Sequence, residues 1–239
     1  MSTHYTPRTI AFLCELFHPP LELDPAPIQK VHDRMFRSGE PAYSSFAVTP
    51  AGAVLSNPAT RPGAASQVSF LADRIQFREE LSSLTYDEFA ARVRSITEEI
   101  TELYRIQVFT AQQVTIRTLV NPRSYRDSRA YLKQGMFGFG SEVETFQREP
   151  QMYGIRLVFP PQAEGEVEGE ERPSAYSLRI ESFNNDLRSL YIENQGSFSP
   201  LMVARGLDAV EANIIATYRF VTDQALRFIR CFDAAPTPE

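Results

Sequence analysis

The sequence predicts an α+β protein. A ferredoxin-like β-α-β-β-α-β half over residues 1–135 is followed by a β-β-β-α half over residues 136–239, with antiparallel sheets that carry helices on one face. Two observations lead there. Several short segments alternate apolar and polar residues, as half-buried strands do, while residues 89–103 repeat their apolar positions at spacings of four and three, as a helix does. These segments also succeed one another in the ferredoxin-like order before residue 121.

The first element, residues 9–17, alternates poorly and reads as a buried strand. Asp24-Pro25 is a helix start, with a capping side chain followed by proline at the first helical position. Ile28, Val31, Met35 and Phe36 then share a face, and Gly39 stops the helix. Residues 43–56 read as a strand with a bend or hairpin turn at Pro50-Ala51-Gly52, and residues 57–66 as a loop. The next strand is Val68 to Phe77. Thr85 and Glu88 form a capping box for the helix whose stripe is Phe89, Val93, Ile96, Ile100 and Leu103.

Residues 107–120 return as a strand, with Val114, Ile116 and Thr118 on one face and Thr115, Arg117 and Leu119 on the other. A short helical piece is expected at Asp127 to Gln134. A glycine-rich and then alternating stretch follows to Pro150. Tyr153 to Phe159 is a strand, and residues 160–173, with five Glu and no aromatic residue, form a solvated loop. A hairpin spans Tyr176 to Asn194 across Asn184-Asn185-Asp186, and Ser197 to Gly206 is a connector. A long helical pattern from Asp208 to Phe232 can be one helix or two, with a fresh start possible at Thr222-Asp223. The β-β-β-α section is a partial echo of the first half, without a repeat at the level of individual residues. The two halves are expected to pack together through their sheets or helices.

Composition narrows the function classes. The chain has 239 residues, 43% hydrophobic and 23% charged, which is ordinary globular usage. A net charge of −6 argues against a general nucleic-acid or membrane-surface coat. The apolar run Ile10 to Phe17 is broken by Glu15 and ended by His18-Pro19-Pro20, too short and polar for a signal peptide or a membrane span. Cys14 and Cys231 allow a disulfide between the first strand and the last helix, but they read rather as two buried free thiols, so a reducing cytoplasm is the expected compartment. Of the 24 basic residues, 22 are Arg, spread along the chain in the manner of GC-rich coding.

No catalytic constellation is recognisable. His4, His18 and His32 match no tight metal spacing. There is no Gly-x-Ser-x-Gly, and neither cysteine has the flanks of a thiol nucleophile. Gly135 to Gly140 has the wrong order for a dinucleotide fingerprint and lacks the Lys-Ser/Thr of a Walker loop, so it reads as a connector. Catalytic, cofactor and metal residues are therefore expected to be none.

One feature stands out. Arg117, Arg123, Arg126, Arg129 and Lys133 face a single acid, Asp127, in sequence, a local charge of +5 − 1 = +4. Spacings of three and four place Arg126, Arg129 and Lys133 on one helical face, and Tyr125 and Tyr131 among them offer rings for stacking. With Asn121, this is a candidate site for an anion, a nucleotide or nucleic acid. The competing reading is a solvated face partnered by the acidic 164–171 loop.

Four segments carry a family resemblance: Phe12 to Pro20, Thr115-Ile116-Arg117-Thr118-Leu119-Val120-Asn121, Ser177 to Phe183, and Phe220-Val221-Thr222-Asp223-Gln224-Ala225. Together they resemble a sporadically distributed bacterial family of uncharacterised proteins, over nearly the whole chain. The resemblance implies an architecture and no reaction, and it marks Arg117 and Asn121 as the pair most worth mutating. The function expected is a non-enzymatic interaction or accessory protein, binding a protein partner or itself as a homodimer through exposed strand edges and abundant aromatic residues. Anion, nucleotide or nucleic-acid binding through residues 117–133 is the alternative. No membrane partner is expected.

Overall fold

The computed structural model describes residues 5–22, 24–39, 41–161 and 175–234. The chain begins with β1 (Arg8–Phe17) and α1 (Pro25–Arg37), then runs through four strands: β2 (Ser45–Thr49), β3 (Gly52–Ser56), β4 (Ala65–Leu71) and β5 (Arg74–Glu80). Helix α2 (Tyr86–Tyr104), β6 (Val108–Phe109), β7 (Ala111–Val120) and α3 (Ser128–Ala130) follow, the last continuing as one π turn over Tyr131–Met136. After a 3-10 turn (Ser141–Phe146) come β8 (Gly154–Phe159), β9 (Ala175–Ser182), β10 (Leu190–Phe198) and β11 (Leu201–Met202). The chain closes with α4 (Asp208–Arg219), a π turn (Phe220–Ala225) and α5 (Leu226–Arg230), in unbroken succession.

Local sequence explains most of these boundaries. The Asp24 carboxylate accepts the Ala26 N–H at 2.9 Å, with Pro25 opening α1. At α2 the Thr85 hydroxyl accepts the Glu88 N–H while the Glu88 carboxylate accepts the Thr85 N–H, so both halves of the capping box form. Phe89, Val93, Ile96 and Ile100 are buried as their spacing requires, whereas Leu103 is exposed. Gly52 begins β3 with φ +144°, and a Cβ there would lie 1.9 Å from the Phe70 carbonyl oxygen, so only glycine fits this turn.

The nine long strands form one sheet in the order β2-β3-β4-β5-β1-β7-β10-β9-β8, every neighbouring pair antiparallel. β6 and β11 pair separately. At the centre β1 meets β7, with Phe12 opposite Ile116 and Cys14 opposite Val114. Each half has one plan: a central strand, a helix, a meander whose last strand returns beside that central strand, and a long helix. The first half reads β1, α1, β2–β5, α2 and the second β7, α3, β8–β10, α4. The partial echo in the sequence is thus a duplication of topology, with one meander strand fewer in the second copy.

One sequence expectation needs correction here. The segment taken as a single strand from Val68 to Phe77 is a hairpin, turning at Ala72-Asp73 between Leu71 and Arg74. Of the two options at residues 43–56, the hairpin turn at Pro50-Ala51-Gly52 is the one formed, so that segment too is two strands. The first half is therefore β-α-β-β-β-β-α-β, a hairpin longer than the six-element ferredoxin-like arrangement, although β5 and β7 still flank β1 and are still joined by α2. The Ala72-Asp73 turn escapes sequence reading because it holds no glycine or asparagine. Its carbonyls instead accept tertiary bonds from the Leu21 N–H at 2.8 Å and the His18 N–H at 2.9 Å.

Smaller differences follow. The stretch after Gly140 forms a 3-10 turn, not an alternating one. Helices α4 and α5 are continuous through a π turn, where the Thr222 hydroxyl lies 3.4 Å from the Arg219 carbonyl and competes with the regular ladder. Cys14 is buried but Cys231 is exposed, and both are free. The acidic loop at 164–171 lies outside the described residues, as does His4.

All the long helices gather on one face of the sheet. Phe12 of β1 stacks on Phe89 of α2 at 5.3 Å, and Tyr86 of α2 stacks on Tyr218 of α4 at 4.2 Å, locking the two long helices side by side. One continuous core results, from Leu55 and Phe70 in the first meander to Ile180 and Ile192 in the second. Fully buried Phe89 sits at its middle, and truncating such a side chain to alanine costs about 3–5 kcal/mol. Among the described residues no helix is long and apolar enough to cross a membrane.

Candidate binding face and cavity

The helix-covered face takes one set of alternate residues, and the opposite face takes the other. Along β7 this puts Val114, Ile116 and Thr118 in the core and Gln113, Thr115 and Arg117 on the opposite, partly exposed face, as the alternation predicts. The same parity places Arg78 and Glu80 of β5, Glu193 of β10, and Arg179 and Glu181 of β9 on that face. Register brings them into line, since Arg117 lies opposite Glu193 and Glu193 opposite Arg179.

A charge ladder results, with members on β5, β7, β10 and β9 and its first step passing over β1. Arg78 pairs with Glu80 at 2.5 Å, and Glu80 accepts from Arg117 Nη1 at 3.0 Å. Arg117 Nε donates to Glu193 at 2.7 Å, and Arg179 reaches the other Glu193 oxygen at 3.3 Å and Glu181 at 3.8 Å. The Tyr191 hydroxyl donates to Glu193 at 2.8 Å, while the Arg179 guanidinium lies over the Tyr191 ring. Burial pushes the Glu193 carboxyl up, but hydrogen bonds from Arg117 and Tyr191 and the charge of Arg179 outweigh it and hold the group below the usual carboxylate range. Burial and the bond to Glu193 push Tyr191 up to about 12. Both groups are thereby moved away from neutrality, which suits fixed ion pairing better than proton transfer.

This ladder contains three Arg and three Glu. Arg117, the residue singled out by its strand and its basic neighbourhood, is thus compensated on both sides.

The other basic residues disperse. Arg126 precedes helix α3 and pairs with Asp127 at 3.1 Å, so it does not share a helical face with Arg129 and Lys133. Lys133 pairs with Glu149 at 3.2 Å. Arg129 lies in the same neighbourhood, where its charge acts on Glu149 and Tyr153 and its Nε is buried without a hydrogen-bond partner. The rings expected to stack on a ligand serve the fold instead. Tyr131 is fully buried with its hydroxyl on the Ile229 carbonyl at 2.8 Å, and Tyr125 packs edge-on against it.

Asn121 and Arg123 go elsewhere. Both line a cavity of about 420 Å³ where β1 begins and β7 ends, at the margin of the open face. Arg8, Tyr5, Asp186 and Ser189 complete its polar wall. The Ser189 hydroxyl lies 2.8 Å from Asn121 Oδ1 and 2.7 Å from Asp186 Oδ2. Asp233 lies close by. Burial raises its pKa, but the Tyr5 hydroxyl at 2.5 Å and the Arg123 and Ser124 N–H groups at 2.8 Å hold the carboxyl below its usual range. Sequence reading missed Tyr5, Arg8 and Ser189, because nothing near them in the chain announces that strand pairing will bring them to Asn121.

A second, smaller cavity of about 270 Å³ borders Ser66, Glu79 and Arg92. Glu79 is buried and accepts from Arg92 at 2.8 Å, Ser66 at 2.9 Å and Tyr43 at 3.3 Å, all on one oxygen. Burial raises its pKa above the carboxylate range despite the Arg92 charge. Among the described residues no group of three or more His, Cys, Asp or Glu side chains is placed to hold a metal ion.

Fold and site together define an α+β protein with one sheet face roofed by helices and the other carrying a ladder of alternating Arg and Glu. No protein-family model matches the chain, and no curated protein does.

Proposed function

We propose that this is an interaction protein that binds through its sheet, in the first instance to a second copy of itself. The observation that carries this reading is the sheet edge at β8. Among the described residues Gly154–Phe159 pairs on one side only, with β9, and is the last strand of the sheet. Its residues are apolar except for Arg156, which is turned back onto Ser177 of β9 at 3.0 Å, and Val158 and Phe159 stay 65% and 38% exposed. Edge strands that remain solitary are usually guarded by charge, proline or a bulge, and β8 has little of this. Antiparallel pairing of two β8 strands across a twofold axis satisfies their backbone groups and covers Val158 on both copies.

Light scattering of the purified chain tests the reading. The expected mass is twice 27.1 kDa, and Val158→Lys should return it to the single-chain value. A parent protein that stays at 27.1 kDa at high concentration overturns it.

Anion or nucleotide binding through Arg117, Asn121, Arg123, Arg126, Arg129 and Lys133 is the second reading. Its support is the meeting of Asn121 with Arg123 at the larger cavity. It predicts binding that weakens steeply with salt.

A further inference from the structure

We propose that the cavity between the start of β1 and the end of β7 binds a small organic anion, with Arg8 holding its carboxylate or phosphate and Asn121 its polar substituents. This goes beyond both readings above. It shares only Asn121 and Arg123 with the basic-cluster reading and centres on a residue from the other end of the chain.

The argument begins with charge. Arg8 lines the cavity and, among the described residues, forms no ion pair with any carboxylate. The acids nearby are already engaged. Asp186 receives the Arg188 N–H at 3.2 Å and bonds the Ser189 hydroxyl, while Asp233 receives the Tyr5 hydroxyl and two backbone N–H groups. Of the charged side chains that line the cavity, Arg8 and Arg123 are positive and Asp186 is negative, so the wall keeps an excess of positive charge for an anion to meet.

Backbone geometry supplies the second part. The register of β1 on β7 slips between Thr9 and Ala11, an irregularity one residue past Arg8. Such slips re-aim the side chains beside them and recur at binding sites. The ladder ends there too. Arg8 lies opposite Leu119, one row beyond Arg117, where no carboxylate faces it across the strand.

Size and lining complete it. A volume of about 420 Å³ exceeds what a bare phosphate needs and lies within the range of small-metabolite sites. Leu119 and Pro122 offer apolar wall, and Asn121 an amide that pairs with hydroxyl or amide groups. Arg8 makes a bidentate bond to either a carboxylate or a phosphate, so the two sources are separated by experiment.

Isothermal titration of the full chain with inorganic phosphate, citrate and adenosine monophosphate is the test. At least one should bind with a stoichiometry of one, citrate alone pointing to carboxylates and the nucleotide to phosphate esters. Arg8→Ala should weaken that binding about tenfold or more, with an unchanged melting temperature because the side chain is exposed. Arg8→Lys should recover part of the loss. Arg126→Ala, whose residue lies outside the cavity, should bind as the parent does. The proposal is overturned if none of the three anions binds at millimolar concentration, or if Arg8→Ala binds as tightly as the parent. Loss of binding in Arg126→Ala with retention in Arg8→Ala would also overturn it and would leave the basic-cluster reading standing.

Discussion

Arg117 and Glu193, 76 residues apart in the chain, face each other across β7 and β10 with Nε 2.7 Å from Oε2, and this pair is the middle rung of a ladder that reaches from β5 to β9. Both side chains of the pair are part-buried, so water screens them less than it would an ordinary surface pair.

Arg117→Ala removes the shared partner of Glu80 and Glu193 at once. Urea unfolding should show a loss of about 1–3 kcal/mol, the range for leaving a charged group without its bond. The loss should shrink in acid. Glu193 titrates below its unfolded value, so its contribution is present above the ordinary carboxylate range and fades as pH falls through the lowered pKa.

Glu79 should behave in the opposite sense. Its pKa is raised, so the group favours the folded state fully below the ordinary carboxylate range and loses that contribution as pH rises through the raised value. The stability of the parent relative to Glu79→Gln should therefore fall as pH climbs through that window. A stability difference that is flat with pH would show that burial does not control this carboxyl.

Gly52→Ala should lower the melting temperature by several degrees. The substitution adds a Cβ 1.9 Å from a backbone oxygen at a φ of +144°, and neither atom belongs to a flexible side chain. Gly140→Ala is the control, since an added Cβ there meets only the end of the Glu142 side chain at 3.4 Å.

The two thiols should differ sharply towards a labelling reagent. Cys231 is exposed and should react in the native protein, whereas Cys14 is fully buried and pushed up to about 12, chiefly by desolvation. One thiol should titrate under native conditions and two in denaturant.

How much of this was legible in the sequence depends on how local each signal is. Thr85 and Glu88 announce α2 because the capping box is made within one turn, and Gly52 marks its turn because only glycine adopts that backbone. The Ala72-Asp73 hairpin stays hidden because its stabilising partners, His18 and Leu21, come from the far side of α1. The site divides in the same way. Arg117 is visible as a cation on the open face of a strand, but the glutamates that neutralise it lie 37 and 76 residues away, one on the adjacent β10 and one on β5 across β1. Only pairing register puts Arg8 next to Leu119, and so beside Asn121.

The duplicated plan also sets the order in which the chain can assemble. Each meander zips up locally, strand beside successive strand, but β1 has no neighbour until β5 exists and is flanked on both sides only when β7 follows. Leu13 meets Arg78 first and Thr115 later. At roughly 5–20 residues per second, a chain leaving the ribosome keeps the apolar β1 waiting on the order of ten seconds for its second partner. The centre of the finished sheet is therefore an exposed edge of the nascent one until residue 120 emerges.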